Sequence, residues 1–419
     1  RNHTFFKNLY LKTPQTELRN EIQIGYESIA TVAKNVGDLG LIAHLEKSKI
    51  GFKDILIFVP TLASTKPFDT NPEAILLIDG TINGKLNNIK IPNLEISGLG
   101  STKVNASGII TGLPDVNKAH FDLVIHELNT SSKDVTDFIP KGTVPNTIQL
   151  PAAINATGKF KGTLSNFYTD LVLGSSYGNA TVKGQYNQEI KNKEKYNLVT
   201  TLNNFDLGKL IKNKELGKIS LNAAIKGTGF DPKTANATIN GTIQKIDFNR
   251  YTYQNIDLKG AIDAGLFDLK GQSTDSNLTF DILSSGSFKD KYPAGTVHLN
   301  IDIADLEKLN LHAGPLKIRG VLNADIQSAD IDYLNGSFTI KNLTVADAVT
   351  QIVTDSISVI ASSTPTKNTL DFKSPFMNGQ VAGKYKLSTI GAALSRSISN
   401  YYSATGYSKA REIENQQLE

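Results

Sequence analysis

The sequence predicts an all-β protein, and three observations carry that prediction. The 419 residues include no Trp but 33 Gly, 14 Pro, 18 Phe and 14 Tyr, set among Asn, Asp, Lys, Ile, Val and Leu. Gly, Asn and Asp supply tight turns, while β-branched and aromatic residues fit a pleated surface. Apolar and polar residues alternate with period two over most of the chain, as in strands with one apolar and one polar face. Between the alternating runs lie only short Gly, Asn, Asp and Ser turns, which predict antiparallel meanders rather than βαβ units.

Taken in order, residues 1–75 read as an N-terminal β segment. The longest apolar run without a charge lies there, between Asp54 and Lys66; it contains Pro60 and is too short to cross a bilayer as a helix. Residues 76–388 read as one continuous repetitive β region with no linker or break in composition. The alternation is plainest in 243–282, where Ile246 and Phe248 alternate with Lys245, Asp247 and Asn249, and Ile256, Leu258 and Ile262 with Asp257, Lys259 and Asp263. Phe267 and Leu269 flank Asp268; Phe280 and Ile282 flank Asp281; Val297, Leu299 and Ile301 continue the pattern. Short helices are expected at 133–139, 206–212 and 305–309, and a longer amphipathic one at 389–402 behind Ser388 as N-cap. Residues 403–419 read as a polar tail or linker.

The three short helices share the pattern D-[LV]-x-x-[FL], beginning at Asp134, Asp206 and Asp305. Each follows an alternating strand and precedes a strand carrying glycine. Spacings of 72 and 99 residues describe a loose module with inserted hairpins, not a fixed-period solenoid.

Composition narrows the function. A net charge of +4, from 44 basic and 40 acidic residues, is too balanced for a nucleic-acid binder. Without Cys there is no disulfide framework, thiol nucleophile or cysteine zinc site. The chain starts at Arg1 and its one methionine is Met377, so a fragment is expected, with any export signal or anchor removed. Gly174-Ser175-Ser176-Tyr177-Gly178 matches G-x-S-x-G, but a strand-like segment follows where a nucleophile elbow needs a helix, so a hairpin turn is expected. His126-Glu127 begins like a zinc-protease motif, yet Thr130 stands where the second histidine belongs. Asp330, Asp332 and Asn335 do not have calcium-loop spacing, and the six histidines form no metal-spaced pair. The triplets at Asn105, Asn155, Asn240 and Asn277 resemble glycosylation sites but are expected by chance in a chain so rich in Asn, Ser and Thr. No catalytic residue, metal site or cofactor is predicted.

About 25 to 30 strands of about 5–8 residues, each with one apolar face, leave a physical problem, because almost no helix is available to cover them. The faces could pair in sandwiches, close into barrels, or form one long curled sheet whose apolar face lines a groove. Sandwich domains should be separated by linkers about every 100 residues, and none is visible between 75 and 388. The elongated curled antiparallel sheet with an apolar lumen is therefore expected; about 25 strands would extend on the order of 100 Å.

The stretches DGTINGKLNNIKIPNLEISGLGSTKVNASGIITGLP (79–114), LNNFDLGKLI (202–211), LKGAIDAGLFDLKGQ (258–272) and DFKSPFMNGQVAGKYKL (371–387) resemble the TamB family of the AsmA-like superfamily, in its Bacteroidota versions, over roughly residues 10–402. The resemblance implies a β-taco, a U-shaped sheet with an apolar lumen, in a periplasmic protein that bridges the inner and outer membranes of a Gram-negative bacterium. It further implies an N-terminal inner-membrane anchor absent from this chain, an outer-membrane partner of the BamA/TamA barrel type, and a part in phospholipid movement and outer-membrane biogenesis. The expected function is a non-enzymatic lipid conduit, with acyl chains solvated by Ile246, Phe248, Ile256, Leu258, Ile262, Phe267, Leu269, Phe280, Ile282, Val297, Leu299 and Ile301. The alternatives are a chaperone-like scaffold templating outer-membrane strands at a sheet edge, and a surface adhesin of packed β-sandwiches.

Overall fold

A computed structural model describes residues 2–28, 35–58, 60–64, 66–116, 118–138, 144, 146–190, 192–392 and 417–418. It is all-β and antiparallel. The chain divides into two compact units, Arg1–Lys226 and Gly227–Glu419.

In the first unit the strands are β1 (Asn2–Lys12), β2 (Glu17–Tyr26), β3 (Gly40–Gly51), β4 (Ile75–Lys85), β5 (Asn88–Leu99), β6 (Thr102–Thr111), β7 (His120–Ser131), β8 (Ala153–Gly162), β9 (Asn166–Ser175), β10 (Gly178–Asn187) and β11 (Lys195–Asp206). Each pairs antiparallel with the next in sequence. The unit boundary falls inside β12 (Leu216–Thr228). The second unit repeats the meander through β13 (Asn236–Phe248), β14 (Tyr251–Asp263), β15 (Leu266–Asp275), β16 (Leu278–Ser287), β17 (Ala294–Asp305), β18 (Lys317–Ser328), β19 (Asn335–Ala346), β20 (Gln351–Ser363), β21 (Asn368–Lys373) and β22 (Asn378–Lys384). Gln417–Leu418 pairs with Gly383 and Lys384.

The strands are fewer and longer than the alternation alone indicates, most running 10–13 residues. Interior glycines and runs of Ser, Thr and Asn read as turns in the sequence, but here they stay in the ladder. Gly184 shows why: its φ is 143°, and a Cβ there would lie 2.0 Å from the Asn197 carbonyl oxygen on the neighbouring strand. Only glycine lets the two backbones approach so closely without breaking the pairing.

Helices are confined to strand connections. α1 (Phe52–Phe58) follows β3, α2 (Ser132–Phe138) follows β7 and α3 (Leu207–Ile211) follows β11. The last two match the expected positions, with Ile139 outside the described residues. Asp206 N-caps α3 by accepting from the Lys209 amide, and Lys212 closes it in the left-handed conformation. α1 lies in the apolar run after Asp54, where no helix was expected. Its Asp54-Ile55-Leu56-Ile57-Phe58 is a looser copy of the D-[LV]-x-x-[FL] pattern, 80 residues before Asp134.

The helix expected at 305–309 is a single turn. The Leu309 amide bonds to the Asp305 carbonyl at 3.0 Å, but Asn310 turns left-handed at φ 59° and the next two amides fold back on Leu306, which stops propagation. At the C-terminal end, helix is described only for 387–392; the rest of 389–402, and 403–416 and 419, lie outside the described residues. Ser388 is inside that helix and not its N-cap: its amide and hydroxyl donate to Asp332 at 3.0 and 2.9 Å.

The helices fasten to the hairpin turns beside them. Buried Asp134 of α2 accepts from the Ser101 amide (2.9 Å), the Ser101 hydroxyl (2.7 Å) and the Thr102 hydroxyl (3.0 Å) in the β5–β6 turn. Asp54 of α1 accepts from Thr13 in the β1–β2 turn at 2.6 Å. Burial pushes the Asp134 carboxyl up, but donation by Ser101 and Thr102 outweighs it and holds the group below the ordinary carboxylate range. The folded state therefore favours the ionised form. This contribution is complete above the unfolded pKa and is lost as pH falls through the lower folded value. Asp134→Ala should cost about 1–3 kcal/mol in urea denaturation at neutral pH, and the gap from the unaltered protein should shrink as the pH falls below about 4; a gap independent of pH would mean that the carboxylate is not the fastening group.

Candidate apolar binding face

The register of the second unit converts the alternation into rows that run across the strands. Directly opposed residues share a face, so Leu258, Gly271, Ile282, Leu299, Leu322, Ile340 and Ile357 form one row from β14 to β20. Beside it run Leu269, Ser284, Val297, Ala324, Phe338 and Val359. Ile256, Ser273, Phe280 and Ile301 form a third row, and Ile262 and Phe267 belong to a fourth. Ten of the twelve expected lining residues thus lie on one patch. All ten are half-buried, whereas Asp257, Lys259, Asp263, Asp268 and Asp281 on the opposite face are exposed.

Ile246 and Phe248 fall outside these rows. Asn255 takes φ 52° in β14, and beyond it Ile246 opposes Tyr253 and Phe248 opposes Tyr251. Phe248, 41% exposed, joins Tyr251 and Tyr253 in an aromatic group at the strand ends. The Tyr251 hydroxyl donates to buried Asp275 at 2.7 Å. Burial raises the Tyr253 and Tyr251 phenols, and the Asp275 carboxylate raises Tyr251 further.

Within the rows the surface is levelled by pairing large residues with glycine. A Cβ on Gly271 would sit 3.0 Å from Ile282 Cγ2 and 3.9 Å from Leu258 Cδ1, and one on Gly286 would sit 2.8 Å from the Phe267 ring. Hydroxyls on this face are satisfied by the protein itself: Ser284 donates to the Thr296 carbonyl at 2.9 Å and Ser273 accepts from the Asp275 amide at 3.2 Å. What remains exposed is hydrocarbon.

The first unit carries an equivalent face, where the groove was expected from the sequence but no lining residue was named. One row runs Leu45, Gly80, Leu94, Ala106, Ile125, Gly158, Leu171 and Val182 across β3 to β10. Nearer the other ends of the strands, Phe121, Phe160, Phe167 and Tyr186 form a chain of ring contacts with centroids 4.9–6.3 Å apart. Burial raises the phenols of Tyr186 and Tyr196. The period-two signal was present here too, but Gly80, Ala106 and Gly158 put small residues where the alternation in β4, β6 and β8 needs large ones.

Among the described residues, no helix makes its main contacts with either face. The main contacts of each strand are with its ladder neighbours, and those of α1 and α2 are with the ends of β3 and β7 and the adjoining 3-10 turn. The largest fully buried apolar side chains, Phe52 and Leu309, sit in strand connections and not in the rows. Gly174–Gly178 is a two-residue hairpin turn, with Ser175 donating to the Gly178 carbonyl at 2.9 Å and β10 following directly. Asp330 caps the 3-10 turn Ile331–Tyr333, and His126 bonds to Ser107 at 2.8 Å. Among the described residues no three His, Asp or Glu side chains converge on one point, and no helix is long and apolar enough to cross a membrane.

If the rows are an uncovered surface, truncating them should be cheap. Leu258→Ala should lower stability by about 1 kcal/mol, against about 2–5 kcal/mol for Leu309→Ala, whose side chain is enclosed. Equal losses in urea denaturation would mean that the rows are packed against a second layer.

No protein-family model, curated protein or solved structure matches this chain.

Proposed function

We propose that the protein is a non-enzymatic lipid conduit of the TamB type, in which acyl chains lie on the apolar rows and are passed along them. The observation that carries this reading is the row from Leu258 to Ile357, hydrocarbon at six of its seven positions, with all six side chains half-buried and not enclosed. Leaving such a surface to water is costly, at about 25 cal/mol per Å² of apolar area. A bound alkyl chain removes that cost without needing a discrete pocket. Each buried methylene contributes about 0.8 kcal/mol, so a two-chain lipid fully sheltered on the rows gains well over roughly 10 kcal/mol. Successive positions along a row are chemically alike, so displacement by one strand, about 4.8 Å, exchanges equivalent contacts. The resemblance of 79–114, 202–211, 258–272 and 371–387 to the TamB family supports the same reading. It adds, as part of the proposal, a periplasmic location between the two membranes, phospholipid as cargo and a BamA/TamA-type barrel as the outer-membrane partner.

Four measurements test this. Solvent extraction of the protein purified without detergent, followed by mass spectrometry, should release phospholipid in stoichiometric amount; a clean extract argues for a scaffold. A photocrosslinker at 258 should capture lipid and one at 257 should not, and equal capture would place lipid elsewhere. Leu258→Arg should keep the melting temperature and β-type circular dichroism, because the long side chain can reach water from an open face. In a lipid-transfer assay the same change should abolish transfer, whereas Lys259→Glu on the opposite face should not.

A further inference from the structure

At its last strands the ladder of the second unit is cut in a step. β21 pairs with β20 only from Ser358 onward, so Gln351–Ile357 of β20 pair with β19 alone among the described residues. The β21–β22 hairpin ends in the Ser374–Met377 turn, about level with Ile357, whereas the β19–β20 hairpin runs on to its Asp347–Thr350 turn. Seven residues of β20 thus overhang, about 23 Å at about 3.3 Å per residue. Along the open side of the overhang, backbone N–H and C=O groups have no strand to bond, the condition under which a sheet accepts another strand.

Exposed edges are commonly blunted, and the outer edge of β1 shows how. It carries Lys7 and Lys12 and is bent by a bulge at Asn8, φ 51°. The overhang, Gln-Ile-Val-Thr-Asp-Ser-Ile, has no Lys, Pro, Gly or bulge, and Asp355 is its one charge. Ile352 and Val353 are exposed on it, Val349 at its tip is 94% exposed, and Phe376 and Met377 are exposed on the turn at the step. Both turns are fixed by their own side chains. The Asp347 carboxylate accepts from the amides of Val349 (2.8 Å) and Thr350 (2.6 Å), and the Ser374 hydroxyl accepts from the Met377 amide at 3.0 Å. Thr354 is buried in the middle of the overhang, yet its hydroxyl has no partner among the described residues.

We propose that the step is a dimer interface, at which two copies of this chain add their overhangs to each other, antiparallel, about a two-fold axis at Ile352. The fit comes from length. With Ile352 opposite its own counterpart, Gln351 opposes Val353 and Thr350 opposes Thr354, and each copy's Asp347–Thr350 turn comes to rest against the other's Ser374–Met377 turn. An axis nearer Ile357 would drive these turns into each other, and one nearer Thr350 would leave the overhang unpaired. The exposed apolar groups then cover one another, Ile352 against Ile352 and Val349 against Phe376. The Thr354 hydroxyl gains Thr350 of the second copy, since opposed threonines hydrogen-bond across strands. No like charges are opposed. A lipid on this edge would leave the row of backbone groups unbonded. The two-fold arrangement closes on itself, which gives a dimer and not a fibre. The paired stretch is short, so a weak dimer with a micromolar dissociation constant is expected.

The test is sedimentation velocity of the whole chain over a concentration series through the micromolar range, where monomer should give way to dimer. Ile352→Lys and Ile352→Glu should keep β-type circular dichroism, because the position is exposed. Each alone should weaken self-association at least about tenfold, because like charges oppose each other on the axis. A mixture of the two should recover a dimer containing one copy of each. Ile352→Cys, in a chain with no other Cys, should form a disulfide-linked dimer on mild oxidation, while Lys259→Cys should not. A chain that stays monomeric, an Ile352→Lys variant that dimerises as well as the unaltered chain, a mixture that fails to pair, or no disulfide at 352 would each overturn the proposal. The first of these would leave the step to a strand of another protein.

Discussion

A single-layered sheet with one apolar face is the constraint on which the rest of this structure depends. Antiparallel strands joined by short turns satisfy their backbone groups in one continuous ladder per unit, and that ladder forces all alternate side chains to the same side. Once Leu258 faces inward, Ile282, Leu299, Leu322, Ile340 and Ile357 must do so as well, because each opposes the next. An ordinary domain would cover such a face with helices or a second sheet. Here the helices are too short and sit at strand ends, so they do not cover the apolar rows.

The strand connections do the fastening that a core would otherwise do. Phe52 packs its ring 4.3 Å from Phe68, Leu309 is enclosed in the turn after β17, and Asp134 and Asp54 hold their helices to neighbouring hairpin turns. Other bonds reach across successive connections on the same side: Lys66 Nζ donates to the Thr136 carbonyl, the Gln149 amide to the Leu210 carbonyl, and Asn310 to the Arg250 carbonyl. Stability gathered at strand ends leaves the middle of each strand free to serve as surface. The two faces then divide the chemistry, with hydrocarbon on one and lysines, acids, hydroxyls and amides on the other.

How much of this was legible in the sequence varies from element to element. The strands around 256–263 and 278–287 were plain because Ile256, Leu258 and Ile262, and Phe280 and Ile282, alternate with charged residues. α3 was legible because Asp206 is a good N-cap before an apolar step of three. α1 was missed because Ile55, Leu56 and Ile57 are consecutive, a run that fits a buried strand as well as a helix. The turn after Asp305 was overread as a helix because nothing local announces that Asn310 will turn left-handed. The strands were expected to be shorter, at about 5–8 residues, than the 10–13 most of them run, since a glycine that admits a neighbouring backbone and one that makes a turn look alike in one dimension.

By itself, the sequence determined the class of structure and the shared side of Ile256, Leu258, Ile262, Phe267, Leu269, Phe280, Ile282, Val297, Leu299 and Ile301, because period two is a local property of extended backbone. It also marked three of the rim segments through their shared aspartate pattern. Only the tertiary structure decided the register, and register is what turns separate alternating strands into rows. It showed that Ile246 and Phe248 leave those rows at Asn255, that the first unit has an equivalent face built around Gly80 and Gly158, and that Lys259 opposes Lys270 while Lys161 opposes Asp122. These facts depend on which residue of one strand meets which of another, and that is set by bulges, close glycine approaches and turn lengths acting across the whole ladder.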